Sequence, residues 1–230
     1  MSGVSSTTNH QHGDTAMKPH TIQPANCPEL SERDYLYPQE VGQLLDAVKL
    51  SGRHTHRDYT LVLLTYRHAL RISEAAALRW DYIDWSNHTI LIPRSKGGTT
   101  GSHYLEADEI KALKKLQPST GVKGFIFLTE RGSVIDRKTC YDIIKRAGEK
   151  ANLPINVHPH TLRHSKGYQL ANTGTDARLM QSYLGHVRIE STVRYTQVDP
   201  SAAQRPWTKR LRLINRGQRC PFFWLKSRHQ

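Results

Sequence analysis

The chain has 230 residues, 37% of them hydrophobic, and its 33 Lys and Arg outnumber 20 Asp and Glu to give a net charge of +13. That is room for one domain of ordinary size with tails. No run nears the roughly 20 apolar residues a membrane-spanning helix needs, and residues 1–30 lack the apolar stretch of a secretory signal. The positive surplus points to an anionic polymer as partner, nucleic acid first, although a merely basic soluble or ribosome-associated protein has the same balance. Cys27, Cys140 and Cys220 are scattered without a CxxC pair, which argues against a disulfide framework and for a reducing compartment.

Residues 1–34, rich in Ser, Thr, His and Gln, read as a disordered lead-in. Val41, Leu44, Leu45 and Val48 recur at helical spacing after Pro38, which suits a first-turn position. A second helix is expected from Arg57 to about His68, and a third, alanine-rich one from Ser73 through Trp80. The pattern then changes to short β-branched runs. Thr89–Pro93 and His103–Leu105 flank the glycine-rich Lys96–Gly101 as a hairpin, with Phe125–Leu128 as a candidate third strand. Helices resume over Asp108–Leu116, Thr139–Ala151, Thr161–Asn172 and Asp176–Leu184. The fold class is therefore α+β: mostly helical, with a small antiparallel sheet. From Ser201 the chain turns cationic, with eight basic and no acidic residues between Arg205 and Arg228, and reads as a loosely structured tail.

Three segments carry unusual residues beside well-marked helix starts: Ala69-Leu70-Arg71-Ile72-Ser73-Glu74, His158-Pro159-His160-Thr161-Leu162-Arg163-His164, and Leu184-Gly185-His186 through Thr192-Val193-Arg194-Tyr195. His160 and Arg163, three apart, share one helix face near an N-terminus whose free N–H groups favour an anion. Taken singly, each has an ordinary explanation. Arg163 could make a surface ion pair while His160 caps the helix. Arg71 could simply pair with Glu74, His186 could be a loop histidine, and Tyr195 could pack.

In order, the motifs are LRISEAAALRW, the lysine of IPRSKGG, HPHTLRHS, YLGH and TVRYTQV. Together they resemble the catalytic domain of the tyrosine recombinase (phage integrase) family over roughly Tyr35 to Pro200. Residues 158–196 are similar in wording to the fimbrial phase-variation subgroup. The resemblance implies a site-specific DNA recombinase or integrase that cuts and rejoins strands through a 3′-phosphotyrosine intermediate, giving inversion, excision or integration. It implies a catalytic domain over 35–200, a basic tail over 201–230 and no cofactor or metal. It further implies double-stranded DNA with short inverted or direct repeats as partner, a homotetramer on that DNA, no membrane, and a place in the bacterial cytoplasm at the nucleoid.

By the same resemblance Arg71 and Arg163 would clamp the scissile phosphate, with Glu74 steadying Arg71. Lys96 would be the general acid, His160 would transfer protons, His186 would hydrogen-bond the phosphate, and Tyr195 would be the nucleophile. Each residue type suits its task. A phosphodiester anion repels nucleophiles, and two arginines offer planar donor forks that neutralise it. A phenol of pKa about 10 must lose its proton as it attacks, and the poor 5′-hydroxyl leaving group needs one. The covalent intermediate keeps the bond energy, so resealing needs no nucleotide. A metal nuclease built on His158, His160, His164 and His186 lacks an accompanying carboxylate cluster or HExxH spacing. A type IB topoisomerase would share the motif order but not the fimbrial wording, and a catalytically silent DNA-binding regulator would not need reactive residue types at all six positions. Most family members carry a helical core-binding domain ahead of the catalytic one, and here the lead-in is short, as in the fimbrial subgroup.

Overall fold

The computed structural model describes residues 33–50, 52–94, 97–120 and 123–195. Pro38 opens α1 (Pro38–Lys49), and the Glu40 carboxylate accepts the Tyr37 backbone N–H at 2.8 Å, filling one of the unpaired donors of a helix start. Val41, Leu44, Ala47 and Val48 form its inward stripe. The second helix, α2 (Thr55–Arg67), is buried continuously from Thr60 to Tyr66 because α1, α4 (Ala107–Thr120) and α6 (Pro159–Asn172) all pack around it. It is the central pillar, which explains why its sequence lacks a polar stripe.

α3 is only Ile72–Ala76, shorter than the Ser73–Trp80 expected from its alanines. Its chain is diverted when Trp80 N–H bonds the Gly124 carbonyl at 2.9 Å, and a 3-10 turn follows over Trp80–Tyr82. The sheet is three-stranded, antiparallel and ordered β1 (Ile83–Asp84), β2 (Thr89–Ile92), β3 (Gly101–Tyr104). Ile90 faces Ile83 on one side and His103 on the other. Ile90, Ile92 and His103 point inward while Leu91 and Tyr104 are exposed, the alternation of a half-buried sheet. The hairpin is thus as expected, but its third strand is β1. Phe125–Leu128 makes only isolated bridges, Arg79 to Phe125 and Leu128 to Val134. Its Ile126 and Phe127 are fully buried, so the apolar run reflects core position without strand pairing.

α5 (Arg137–Lys150) is capped by Asp136, whose carboxylate accepts Thr139 N–H at 2.7 Å, and packs on α1 and α3. Cys140 lies in this core as a free thiol, pushed up to about 12 by burial, so it is inert. α7 (Ala177–Leu184) and a short α8 (Glu190–Val193), the latter unmarked in the sequence, complete the fold. Ala69, Met180, Leu184 and Tyr195 form a second, small core with Tyr168, Leu170 and Ala171 packed on it. The large core holds the helices on the sheet; the small one seats the end of the described chain. Among the described residues no helix is long and apolar enough to cross a membrane.

Candidate active site

The site is built around a break in the chain between α2 and α3. Ala69 adopts a left-handed backbone, φ 50°, while fully buried. An alanine pays for that conformation, and such strain persists only where surroundings over-determine it. Here the reversal turns the Ala69 carbonyl toward two guanidinium groups: Arg163 Nη1 donates to it at 2.5 Å and Arg94 Nη1 at 3.4 Å.

Arg71 is the N-cap of α3, and Glu74 is its third residue. Glu74 Oε2 accepts the Arg71 backbone N–H at 3.0 Å, and Oε1 accepts Arg71 Nη1 at 2.8 Å. The sequence leaves open whether Glu74 merely neutralises Arg71 or steadies it for another anion. The geometry shows a doubly anchored arginine whose side chain is still 24% exposed, held and yet reachable. Glu74 also accepts from a residue the sequence analysis passed over: Arg94 Nη1 lies 2.9 Å from Oε2, with no exposed side-chain surface. Arg94 Nη2 reaches the Tyr183 and His68 carbonyls at 2.5 and 3.2 Å. The only sequence signal was a basic residue two positions before Lys96. Lys96 itself lies outside the described residues.

α6 begins at Pro159 and is capped by His158, whose Nδ1 accepts the Thr161 N–H at 3.4 Å. His160, in the first turn, is exposed, so it is not the capping residue. Arg163 makes no surface ion pair either. It is 4% exposed, and its Nη1 and Nη2 donate to the Ala69 and Leu184 carbonyls at 2.5 and 2.6 Å. Burial, then the charges of Arg71 and Arg94, lower its pKa to about 10. It stays cationic at neutral pH, and the cost of holding three guanidinium groups together is a positive field that an arriving anion relieves.

α7 starts on Asp176, which accepts the Arg178 N–H at 2.8 Å, and ends at Gly185 with φ 65°. A side chain there is strained and would also meet Arg94, whose Cγ lies 2.7 Å from an ideal Cβ. This reversal delivers His186, whose Nδ1 lies 2.9 Å from the Thr192 hydroxyl. Burial first, then Arg163, Arg71 and Arg94, bring His186 down to about 4, so it is neutral at pH 7. Its ring lies nearly parallel to that of Tyr195, 12° between planes and 6.4 Å between centroids.

Tyr195 is 3% exposed. Its ring meets Tyr168 edge-on at 5.2 Å, and its hydroxyl lies 2.9 Å from His164 Nδ1. Burial raises the phenol pKa, opposed by the Arg163 charge. Of the residues picked from the sequence, Arg71, Glu74, Arg163, His186 and Tyr195 thus converge. His160 stands at the edge, its ring 6.4 Å from that of His164. His164 enters the sequence reading only as a ligand of the rejected metal nuclease, and no motif role marks Thr192 or Gly167. The room for the tyrosine ring depends on Gly167, since a Cβ there would fall 2.8 Å from Tyr195 Cε1 and Cζ. Gly167→Ala should therefore displace the ring and slow its covalent attachment to nicked DNA at least tenfold, because misplacement by about 1 Å can cost 10²-fold. Band-shift affinity should be retained; an unchanged rate would show that the ring seat does not set reactivity.

The family model for the phage integrase family matches residues 34–202. The chain belongs to the phage integrase family. The type 1 fimbriae regulatory protein FimE of Escherichia coli K12 is 41% identical over 192 residues, 81% of this chain and 96% of that protein. FimB of the same strain is 40% identical over 74% of this chain and 88% of its own length. The tyrosine recombinase XerC of Oceanobacillus iheyensis is 34% identical, across 71% of this chain and 56% of XerC. Among solved structures the XerA recombinase superposes with a TM-score of 0.66 at 25% identity, covering 76% of this chain and 64% of XerA. The Tn1549 transposon integrase gives a TM-score of 0.64 at 21% identity over 79% of this chain and 67% of its own, a likeness of fold. As a phage integrase family member of the tyrosine recombinase type, the protein is a site-specific DNA recombinase, and its fold is that of the family's catalytic domain.

Proposed function

We propose that this recombinase cuts DNA with Tyr195 as the nucleophile, in a site where Arg71 and Arg163 take the place of a metal ion. The convergence of these two cations and neutral His186 on a buried tyrosine carries the reading. The scissile phosphate would exchange water for the Arg71 and Arg163 forks and the His186 ring. Fixed donors of this kind stabilise the charge that builds on the non-bridging oxygens as the tyrosine attacks. Glu74 keeps the Arg71 fork in place. The new bond joins Tyr195 Oη to phosphorus, and the bond to O5′ breaks. Lys96 would protonate the departing O5′, and His160 would serve proton transfer at the edge of the site. The reverse sequence rejoins the strand.

The finer picture follows the relatives. Like FimE and FimB, similar over most of their lengths, the protein would act in a phase-variation setting. It would exchange strands between two short repeat sequences as a homotetramer in the bacterial cytoplasm. Residues 35–200 would form the catalytic domain, preceded by a lead-in, and the eight basic residues from Arg205 to Arg228 would add phosphate contacts.

The test is cleavage of a nicked DNA built on short inverted repeats, sought in the DNA neighbouring the gene. A denaturant-stable protein–DNA adduct should form at the same rate in excess EDTA. Abolition by EDTA with restoration by Mn²⁺ or Zn²⁺ would instead assign the chemistry to a metal.

A further inference from the structure

The tyrosine hydroxyl makes its hydrogen bond with His164. Tyr195 Oη and His164 Nδ1 are 2.9 Å apart. On the other side of the same ring, Nε2 faces Asp34 Oδ2 at 3.7 Å, and Asp34 is held in turn by Arg194 at 3.0 Å. A nucleophile bonded to an imidazole, with a carboxylate beyond it, is the geometry by which hydroxyl nucleophiles are activated. We propose that His164 is a catalytic residue, the group that takes the proton from Tyr195 as it attacks phosphorus, and that Asp34 orients it. The proposal rests on the reading of Tyr195 as nucleophile and deepens it.

Three features support the assignment. First, the acceptor atom is defined. For Nδ1 to accept, the ring proton must sit on Nε2, the nitrogen that faces the Asp34 carboxylate, so the carboxylate favours the required tautomer. Secondly, the ring is available: burial, then Arg194, His160 and Arg163, hold His164 down to about 4, with Asp34 opposing them, so it is unprotonated at neutral pH. Thirdly, the partners come from separate elements. Asp34 precedes α1, His164 lies on α6 and Tyr195 follows α8, so the three meet only in the folded chain.

A base of pKa about 4 does not deprotonate a buried phenol in the resting enzyme, and that is a safeguard. Burial is the first cause of that depression, and the phosphate's negative charge shifts the balance by offsetting the Arg194, His160 and Arg163 charges that add to it. The transfer then runs with the attack. The Oη–phosphorus bond forms as the Oη–H bond breaks, the proton moves to His164 Nδ1, and the electron pair of the P–O5′ bond leaves on O5′, which takes a proton from the general acid. During rejoining the 5′-hydroxyl attacks, and His164 returns its proton to Tyr195. His160, one turn earlier on the same helix, would carry protons between this pair and solvent.

The test is single-turnover adduct formation on the nicked substrate. His164→Gln should slow it by about 10²–10⁴-fold, the usual worth of a positioned base, with band-shift affinity and thermal transition close to those of the parent. A 5′-bridging phosphorothiolate, which needs no leaving-group proton, should not rescue it. Placing 3,5-difluorotyrosine at position 195, with its more acidic phenol, should shrink the deficit at least tenfold. A deficit of the same size with the fluorinated nucleophile would reduce His164 to a packing role. A faster His164→Gln enzyme would mean that the bond restrains the tyrosine, and either result overturns the proposal. If His164→Gln fails to fold, Asp34→Asn answers instead. It should slow attachment about tenfold in the parent background and less with difluorotyrosine; equal rates would overturn the relay. Loss of the nucleophile reading is distinguishable, since the adduct would then persist in Tyr195→Phe.

Discussion

Tyr195→Phe is expected to bind DNA as the parent does and to form no denaturant-stable adduct on the nicked substrate. The substitution removes one oxygen from a ring otherwise packed by Tyr168, Gly167 and the Ala69–Met180–Leu184 cluster. The fold loses only the hydrogen bond to His164, worth about 1 kcal/mol net. A shift in thermal transition of a few degrees at most is therefore expected beside complete loss of chemistry. The neighbouring tyrosines do not offer a substitute. Tyr183 donates its hydroxyl to the Arg67 carbonyl at 2.6 Å, its ring stacks on His103 at 4.1 Å, and burial drives its pKa well above that of a free phenol. Tyr168 lies against Tyr35, with ring centroids 3.9 Å apart. An adduct that survives Tyr195→Phe, mapped by peptide digestion to either residue, would overturn the assignment.

The site was legible in the sequence to the extent that it is written in short motifs. Arg71 and Glu74, the residues around His160 and Arg163, and the His186 to Tyr195 stretch each begin or end a helix with strong punctuation. Pro159, Asp176 and Gly185 are that punctuation. What could not be read were the partners. Arg94 is one more arginine in a basic chain until its side chain is seen threading beneath Gly185 to Glu74. Asp34 lies 130 positions from His164 along the chain and meets it only because the segment before α1 is tied to α6, where the Leu36 N–H donates to the Ser165 hydroxyl at 2.8 Å. The same limit governs the fold. Periodicity located the long helices and the hairpin. It over-extended α3, whose end is set by the distant Gly124 carbonyl, and mistook the buried Ile126–Phe127 pair for a strand because core burial and strand burial look alike in a short apolar run.

Glu74 balances two guanidinium charges at once, and Glu74→Gln should be correspondingly costly. Its two oxygens accept the Arg71 backbone N–H, Arg71 Nη1 and Arg94 Nη1. An amide of the same shape keeps one acceptor and turns a donor toward donors, while two guanidinium charges lose their carboxylate. Arg71 can turn part-way to water, but Arg94 has no exposed side-chain surface. Breaking a buried pair by removing one partner costs about 3–5 kcal/mol, so the thermal transition should fall on the order of 10 °C. Removing one charge from the exposed Lys138–Asp142 pair on α5 with Asp142→Asn should cost no more than about 0.5 kcal/mol, which gives the internal scale. Below the variant's transition, DNA cleavage should still be slowed, because Arg71 has lost the double anchor that fixes its fork. A melting temperature equal to that of Asp142→Asn would show that Arg94 finds other compensation. Normal cleavage in a folded Glu74→Gln enzyme would show that Arg71 needs no brace to grip the phosphate.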